Sequence, residues 1–204
     1  MREKKEYWNT LLTEKSWEAL QELRKKYDFI LIGGWAAYLL AKQQKSKDID
    51  IVVSIKELEK LKKENIIKND RLKKYELKTG EIDIDIYVEH YSQLTIPAED
   101  LKEYTISTQG FKVSCPEALL ILKQGAYNDR EYSIKGEKDK LDILSLLFFT
   151  ELDLNKYKQL LKKYKLETYL ARLKNIIKNF KEHQALGLTP RELKLKKESL
   201  LART

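Results

Sequence analysis

Two short runs weave aspartate between isoleucines: Asp48-Ile49-Asp50-Ile51 and Ile82-Asp83-Ile84-Asp85-Ile86. Residues two apart on extended backbone project to one side, so this alternation predicts two strands with isoleucine on a buried face. The acids share the other face. A carboxylate held on a strand beside a core is costly to desolvate, and two or three together repel one another. A divalent cation offsets both costs, so the pattern implies a metal site built on a sheet. Upstream, Phe29-Ile30-Leu31-Ile32 runs into Gly33-Gly34-Trp35, a strand ending in a glycine turn. Such a turn at a helix start lets backbone N–H groups approach phosphate oxygens, and the helix dipole favours their charge. Acids for a magnesium ion beside a phosphate-binding turn are the parts of phosphoryl or nucleotidyl transfer.

Around these runs the chain reads as mixed α/β. Trp17, Leu20, Leu23 and Tyr27 recur at helical spacing before the first strand. Ala36 to Lys42 is a short helix, and Asp48 to Val53 the second strand. Ser54 with Glu57 forms a capping box that opens a helix from Ile55 to about Asn65. Lys74 to Lys78 and Glu81 to Val88 flank Thr79-Gly80 as a hairpin, and Tyr104 to Ser107 with Phe111 to Ser114 flank Gln109-Gly110 as another. Ser114 with Glu117 repeats the capping box, with Pro116 in the first turn. Helices follow over Pro116 to Tyr127, Gly136 to Thr150, Leu154 to Tyr164 and Glu167 to Phe180, and Thr189-Pro190-Arg191-Glu192 opens a basic tail. The expected fold is α/β (α+β): a mixed sheet with flanking helices over residues 1–112, then a helical part over 113–204, the seam falling near 108–116.

Composition narrows the partners. Lys and Arg outnumber Asp and Glu by 40 to 32, a formal charge of +8. Most of the lysines belong on solvated helix faces, yet a basic surface favours a polyanion, and RNA is the natural one. No stretch reaches membrane-spanning length and Met1-Arg2-Glu3-Lys4-Lys5 is not a secretory signal, so a cytoplasmic protein with no membrane partner is expected. The single cysteine, Cys115, excludes an internal disulfide, and its place before Pro116 suits a packing role. Trp35 is expected to pack rather than to stack on a base.

Gly33-Gly34, Asp48-x-Asp50 and the later acidic strand resemble the nucleotidyltransferase superfamily with the DNA polymerase β-like fold, over roughly residues 28–90. Pro116-Glu117-Ala118-Leu119-Leu120, Lys123 and Lys135-Gly136-Glu137-Lys138-Asp139-Lys140-Leu141-Asp142 extend the likeness. They are similar to the helical segment of AbiEii-type stand-alone nucleotidyltransferases, some of which are toxins of toxin–antitoxin pairs. The resemblance implies that Asp48 and Asp50 hold a pair of Mg2+ ions about 3.5–4 Å apart, one activating a hydroxyl and one clamping a triphosphate. Asp85 is the favoured third carboxylate, with Asp83 in reserve. Gly33 and Gly34 would cradle the NTP, with Ser46 and Lys47 as further phosphate donors. Lys123 either reaches the triphosphate or snorkels from a buried helix; Lys138 is a second candidate for the nucleotide. Asp139 and Asp142 are expected to partner lysines rather than metal. The implied activity moves an NMP from an NTP to a hydroxyl, with RNA or a tRNA end as acceptor and an antitoxin-like protein as partner. Two other readings stay open: a non-catalytic RNA- or partner-binding module of the same fold, and an adenylyltransferase acting on a small molecule such as an antibiotic.

Overall fold

In the computed structural model, which describes residues 2–203 and their side chains over 10–203, both acidic runs are strands and lie side by side. The strands are β1 (Ile30–Ile32), β2 (Ile49–Val53), β3 (Ile67–Asn69), β4 (Lys74–Thr79), β5 (Ile82–Val88), β6 (Thr105–Thr108) and β7 (Phe111–Ser114). They form one seven-stranded sheet in the order β3-β4-β5-β2-β1-β7-β6. β2 runs parallel to β5 and β1 parallel to β7, while the remaining neighbours are antiparallel. The helices are α1 (Arg2–Lys26), α2 (Gly33–Ala41), α3 (Ile55–Leu61), α4 (Pro116–Arg130), α5 (Ile134–Phe149), α6 (Leu154–Lys163), α7 (Thr168–Asn179) and α8 (Pro190–Arg203), with 3₁₀ segments at Ala98–Tyr104 and His183–Leu186. The chain thus has the expected mixed sheet with flanking helices, followed by a helical part.

Two compact units divide the chain: Met1–Leu39 with Gln44–Ser114, and Leu40–Gln43 with Cys115–Thr204. In the first, Ile49 and Ile51 of β2 stand in register with Ile84 and Ile86 of β5, and all four are buried. Burying such side chains stabilises by about 1.5–3 kcal/mol each, which fixes which face of each strand turns inward. α1 buries Leu20 and Leu23, and its Trp17 ring lies 5.1 Å from Trp35 and 5.6 Å from Phe111 between centroids. The Trp35 ring N–H donates to Ser16 Oγ at 2.8 Å, so the indole is buried with its polar edge satisfied. In the second unit, Tyr157 O–H donates to Gln124 Oε1 at 2.6 Å, and Gln124 Nε2 donates to the Tyr169 carbonyl at 3.0 Å. No helix among the described residues is long and apolar enough to cross a membrane.

Several boundaries differ from expectation for local reasons. α2 begins at Gly33 rather than Ala36, because Gly33 at φ +69° turns the chain straight out of β1. α3 stops at Leu61, its last buried apolar position. Ser54 Oγ accepts from the Glu57 N–H at 3.2 Å, but the Glu57 carboxylate goes to Lys60 instead of closing the box. At α4 the N-cap is Cys115, without a side-chain cap. Ser114 Oγ is buried with no hydrogen-bond partner in the protein. Glu117 accepts from the Asp153 N–H at 3.0 Å and pairs with Lys156 at 3.3 Å. β3 has no counterpart among the expected strands: it is a three-residue edge strand whose Ile67 is exposed, so no buried face betrays it.

Candidate active site

β1 carries the chain into Gly33 while Asp50, on the neighbouring β2, stands in register with Ile32. That register sets the Asp50 carboxylate against the turn. A Cβ at Gly33 would fall on Asp50 Oδ2 and lie 2.5 Å from its Cγ and 2.7 Å from its Cβ. Glycine is therefore required twice over, by a left-handed φ and by the space Asp50 fills. Gly34 is buried in the first turn of α2. The first N–H groups of a helix lack intrahelical partners, so this turn presents donors for an anion close to a carboxylate.

On its other side β2 pairs with β5, and Asp50 stands in register with Asp85. Strand spacing of about 4.8 Å puts the two carboxylates side by side on the face opposite the isoleucines. Burial pushes the Asp85 carboxyl above its usual range; Lys74 pulls it down, and the charges of Glu76 and Asp48 push it up again. Asp48, half-buried at the bend entering β2, is thus close enough to act on Asp85. Asp83 lies on the same strand face but is 59% exposed and pairs with Lys78 at 3.7 Å. Register sets Asp85, not Asp83, beside Asp50. Ser46 is buried and Lys47 half-buried in the loop leading to β2.

Lys123 and Lys138 belong to the second unit. The Lys123 ammonium lies 3.2 Å from Asp139 Oδ1 and 2.7 Å from Asp142 Oδ2, with all three side chains less than a tenth exposed. Arg130 Nε donates to the other Asp139 oxygen at 2.7 Å. Burial raises the Asp142 carboxyl, and Lys123 and Lys138 oppose that rise. Two acids of α5 thus hold the Lys123 charge within its own unit. Its buried helix position matches the snorkelling alternative only in part, since the ammonium ends on carboxylates rather than in water.

Sequence reasoning missed Lys74. It sits on β4 with its side chain 11% exposed, 2.6 Å from Asp85 Oδ1 and 3.2 Å from Glu76 Oε1. Burial lowers its ammonium's proton affinity, and Asp85 and Glu76 more than reverse this, so the lysine is held charged. The signal was present: a hairpin turning at Thr79-Gly80 sets Glu76 opposite Asp85, and Lys74 shares the face of Glu76.

Among the described residues, no group of three or more His, Cys, Asp or Glu side chains is gathered tightly enough to hold a metal ion by itself. Magnesium seldom uses such a cage; it takes one or two carboxylates and completes its shell with water and substrate phosphate. Asp50 and Asp85 in register, Asp48 within electrostatic reach and a glycine turn packed against Asp50 fit a site of that kind.

No protein-family model matches the chain. No curated protein sequence matches it either. Solved structures similar to it include an antigenic nucleotidyltransferase-like protein from Paracoccidioides brasiliensis, 18% identical over 79% of this chain and 91% of that one, with a TM-score of 0.41. JHP933 from Helicobacter pylori is also 18% identical, over 95% of this chain and 94% of its own, with a TM-score of 0.41.

Proposed function

We propose that the protein is a magnesium-dependent nucleotidyltransferase that moves a nucleoside monophosphate from an NTP to a hydroxyl of RNA. One observation carries the reading: Asp50 is in register with Asp85 on one side and packs against the Gly33 turn on the other. That packing supports a single ligand spanning the glycine turn and the paired acids. Asp48, Asp50 and Asp85 would hold the metal, which when bound supplies charge neutralisation for the triphosphate and lowers the proton affinity of the attacking hydroxyl. The backbone of Gly33 and Gly34 binds and orients the phosphates, with Lys47 adding positive charge. Asp85, whose carboxyl burial raises, is suited to take the proton of the acceptor hydroxyl as the new O–P bond forms and pyrophosphate leaves. The formal charge of +8 supports a polyanionic acceptor.

Incubation with each α-labelled NTP, magnesium and total RNA tests this. Label should pass to RNA with the wild type and not with Asp50→Asn. Label passing to a small acceptor instead of RNA would favour the small-molecule adenylyltransferase, and no transfer with any NTP would remove the enzymatic reading. A second reading, a non-catalytic RNA-binding module of the same fold, draws support from the Lys74–Asp85 pair, which neutralises an acid without any metal. It predicts RNA binding that is indifferent to magnesium and weakens steeply with salt.

A further inference from the structure

Acids from three neighbouring strands crowd one strip of the sheet. Glu76 of β4 stands opposite Asp85 of β5, which stands beside Asp50 of β2. A lysine is already built into that strip. Lys74 projects to the same face two residues before Glu76, its side chain 11% exposed, and binds Asp85 at 2.6 Å and Glu76 at 3.2 Å. A buried ammonium is stable only while it is paired, and the acids around it are likewise costly to leave uncompensated. A dication that ligates Asp85 therefore meets two obstacles. It competes for an oxygen that Lys74 holds, and it draws near an ammonium of like charge.

We propose that Lys74 is a resident counterion of the site. It holds Asp85 while nucleotide is absent, and it makes metal binding depend on nucleotide, because the triphosphate offers the displaced ammonium a new anion. The inference rests on the nucleotidyltransferase reading and adds to it a residue acting through Asp85. Lysine suits the part: its charge is compact and its stem flexible, so the ammonium can exchange Asp85 for a phosphate while keeping Glu76. The coupling is reciprocal, so metal tightens nucleotide by the factor by which nucleotide tightens metal.

Calorimetric titration of manganese into the wild type, Lys74→Met and Lys74→Arg, each with and without a non-hydrolysable NTP, decides the matter. Without nucleotide, Lys74→Met should bind manganese at least about tenfold more tightly than the wild type, the scale of one unit charge removed a few ångströms away. Lys74→Arg keeps the charge and should stay within about threefold. The nucleotide should tighten manganese more in the wild type than in Lys74→Met. A loss of packing alone weakens the metal, so equal or weaker binding by a folded Lys74→Met overturns the proposal. If that variant does not fold, the wild type decides: manganese affinity unchanged by nucleotide overturns it equally. No manganese binding by any of the proteins, with or without nucleotide, would instead overturn the metal-site reading beneath it.

Discussion

A methyl group on Gly33 strikes at the contact that joins the turn to Asp50. At φ +69° an L residue is disfavoured by roughly 1–2 kcal/mol. The new Cβ would also fall on Asp50 Oδ2 and lie 2.7 Å from Asp50 Cβ, an atom fixed by the pairing of β2 between β1 and β5. Rotating the carboxylate away does not clear that overlap; the strand or the turn has to shift, at a cost of about 1–3 kcal/mol. Gly33→Ala should then lose about 2–5 kcal/mol in all. Gly80 supplies the control, since it sits at φ +62° and a methyl group there would meet nothing within 4 Å. Gly80→Ala should lose the backbone part alone, roughly 1–2 kcal/mol. Urea denaturation of the three proteins gives both losses. Adding Asp50→Gly to Gly33→Ala should restore the steric part, a coupling of about 1–3 kcal/mol in the double-mutant cycle. Equal losses at Gly33 and Gly80, or no coupling to Asp50, would refute the packing on which the site is built.

Asp85→Asn should lower nucleotide transfer by about a hundredfold or more, whereas Asp83→Asn should leave it within about threefold. Comparable losses in a labelled-NTP assay would contradict the assignment from register. Lys123→Met strips a shared ammonium from two buried acids, one of them still held by Arg130, and should cost about 3–5 kcal/mol by urea denaturation. Pairing it with Asp142→Leu should recover much of the loss. Because burial raises the Asp85 carboxyl, protons compete with a cation there at higher pH than at an ordinary carboxylate. Manganese affinity should fall as pH drops through that raised value, and Asp85→Asn should remove the dependence. The folding linkage has the matching sign: stability tied to protonated Asp85 is present below the unfolded value near 3.8 and is lost as pH rises through the folded one.

The sheet and its acidic face were legible because isoleucine burial and strand period act locally. Ile49, Ile51, Ile84 and Ile86 can face inward only if Asp50 and Asp85 face away. The adjacency of β2 and β5 was not legible in the same way, since the strands lie far apart in sequence and only long-range pairing sets Asp85 rather than Asp83 beside Asp50. Lys74 is hidden in the sequence for another reason. A lysine on a strand reads as a solvated residue until the hairpin register is followed outward to Asp85. The second capping box failed because Glu117 found better partners in Asp153 and Lys156, residues brought to it by α6 and its N-cap rather than by its own helix. Local rules locate candidate donors and acceptors, and tertiary packing decides which of them meet.

Paramagnetic broadening by manganese tests most directly whether the acids and the glycine turn form one ligand site. In a spectrum of the labelled protein with a non-hydrolysable NTP, the amide signals of Gly33, Gly34, Asp50 and Asp85 should disappear first, and Asp50→Asn should keep them. Broadening centred elsewhere, or those four signals left sharp, would contradict the account.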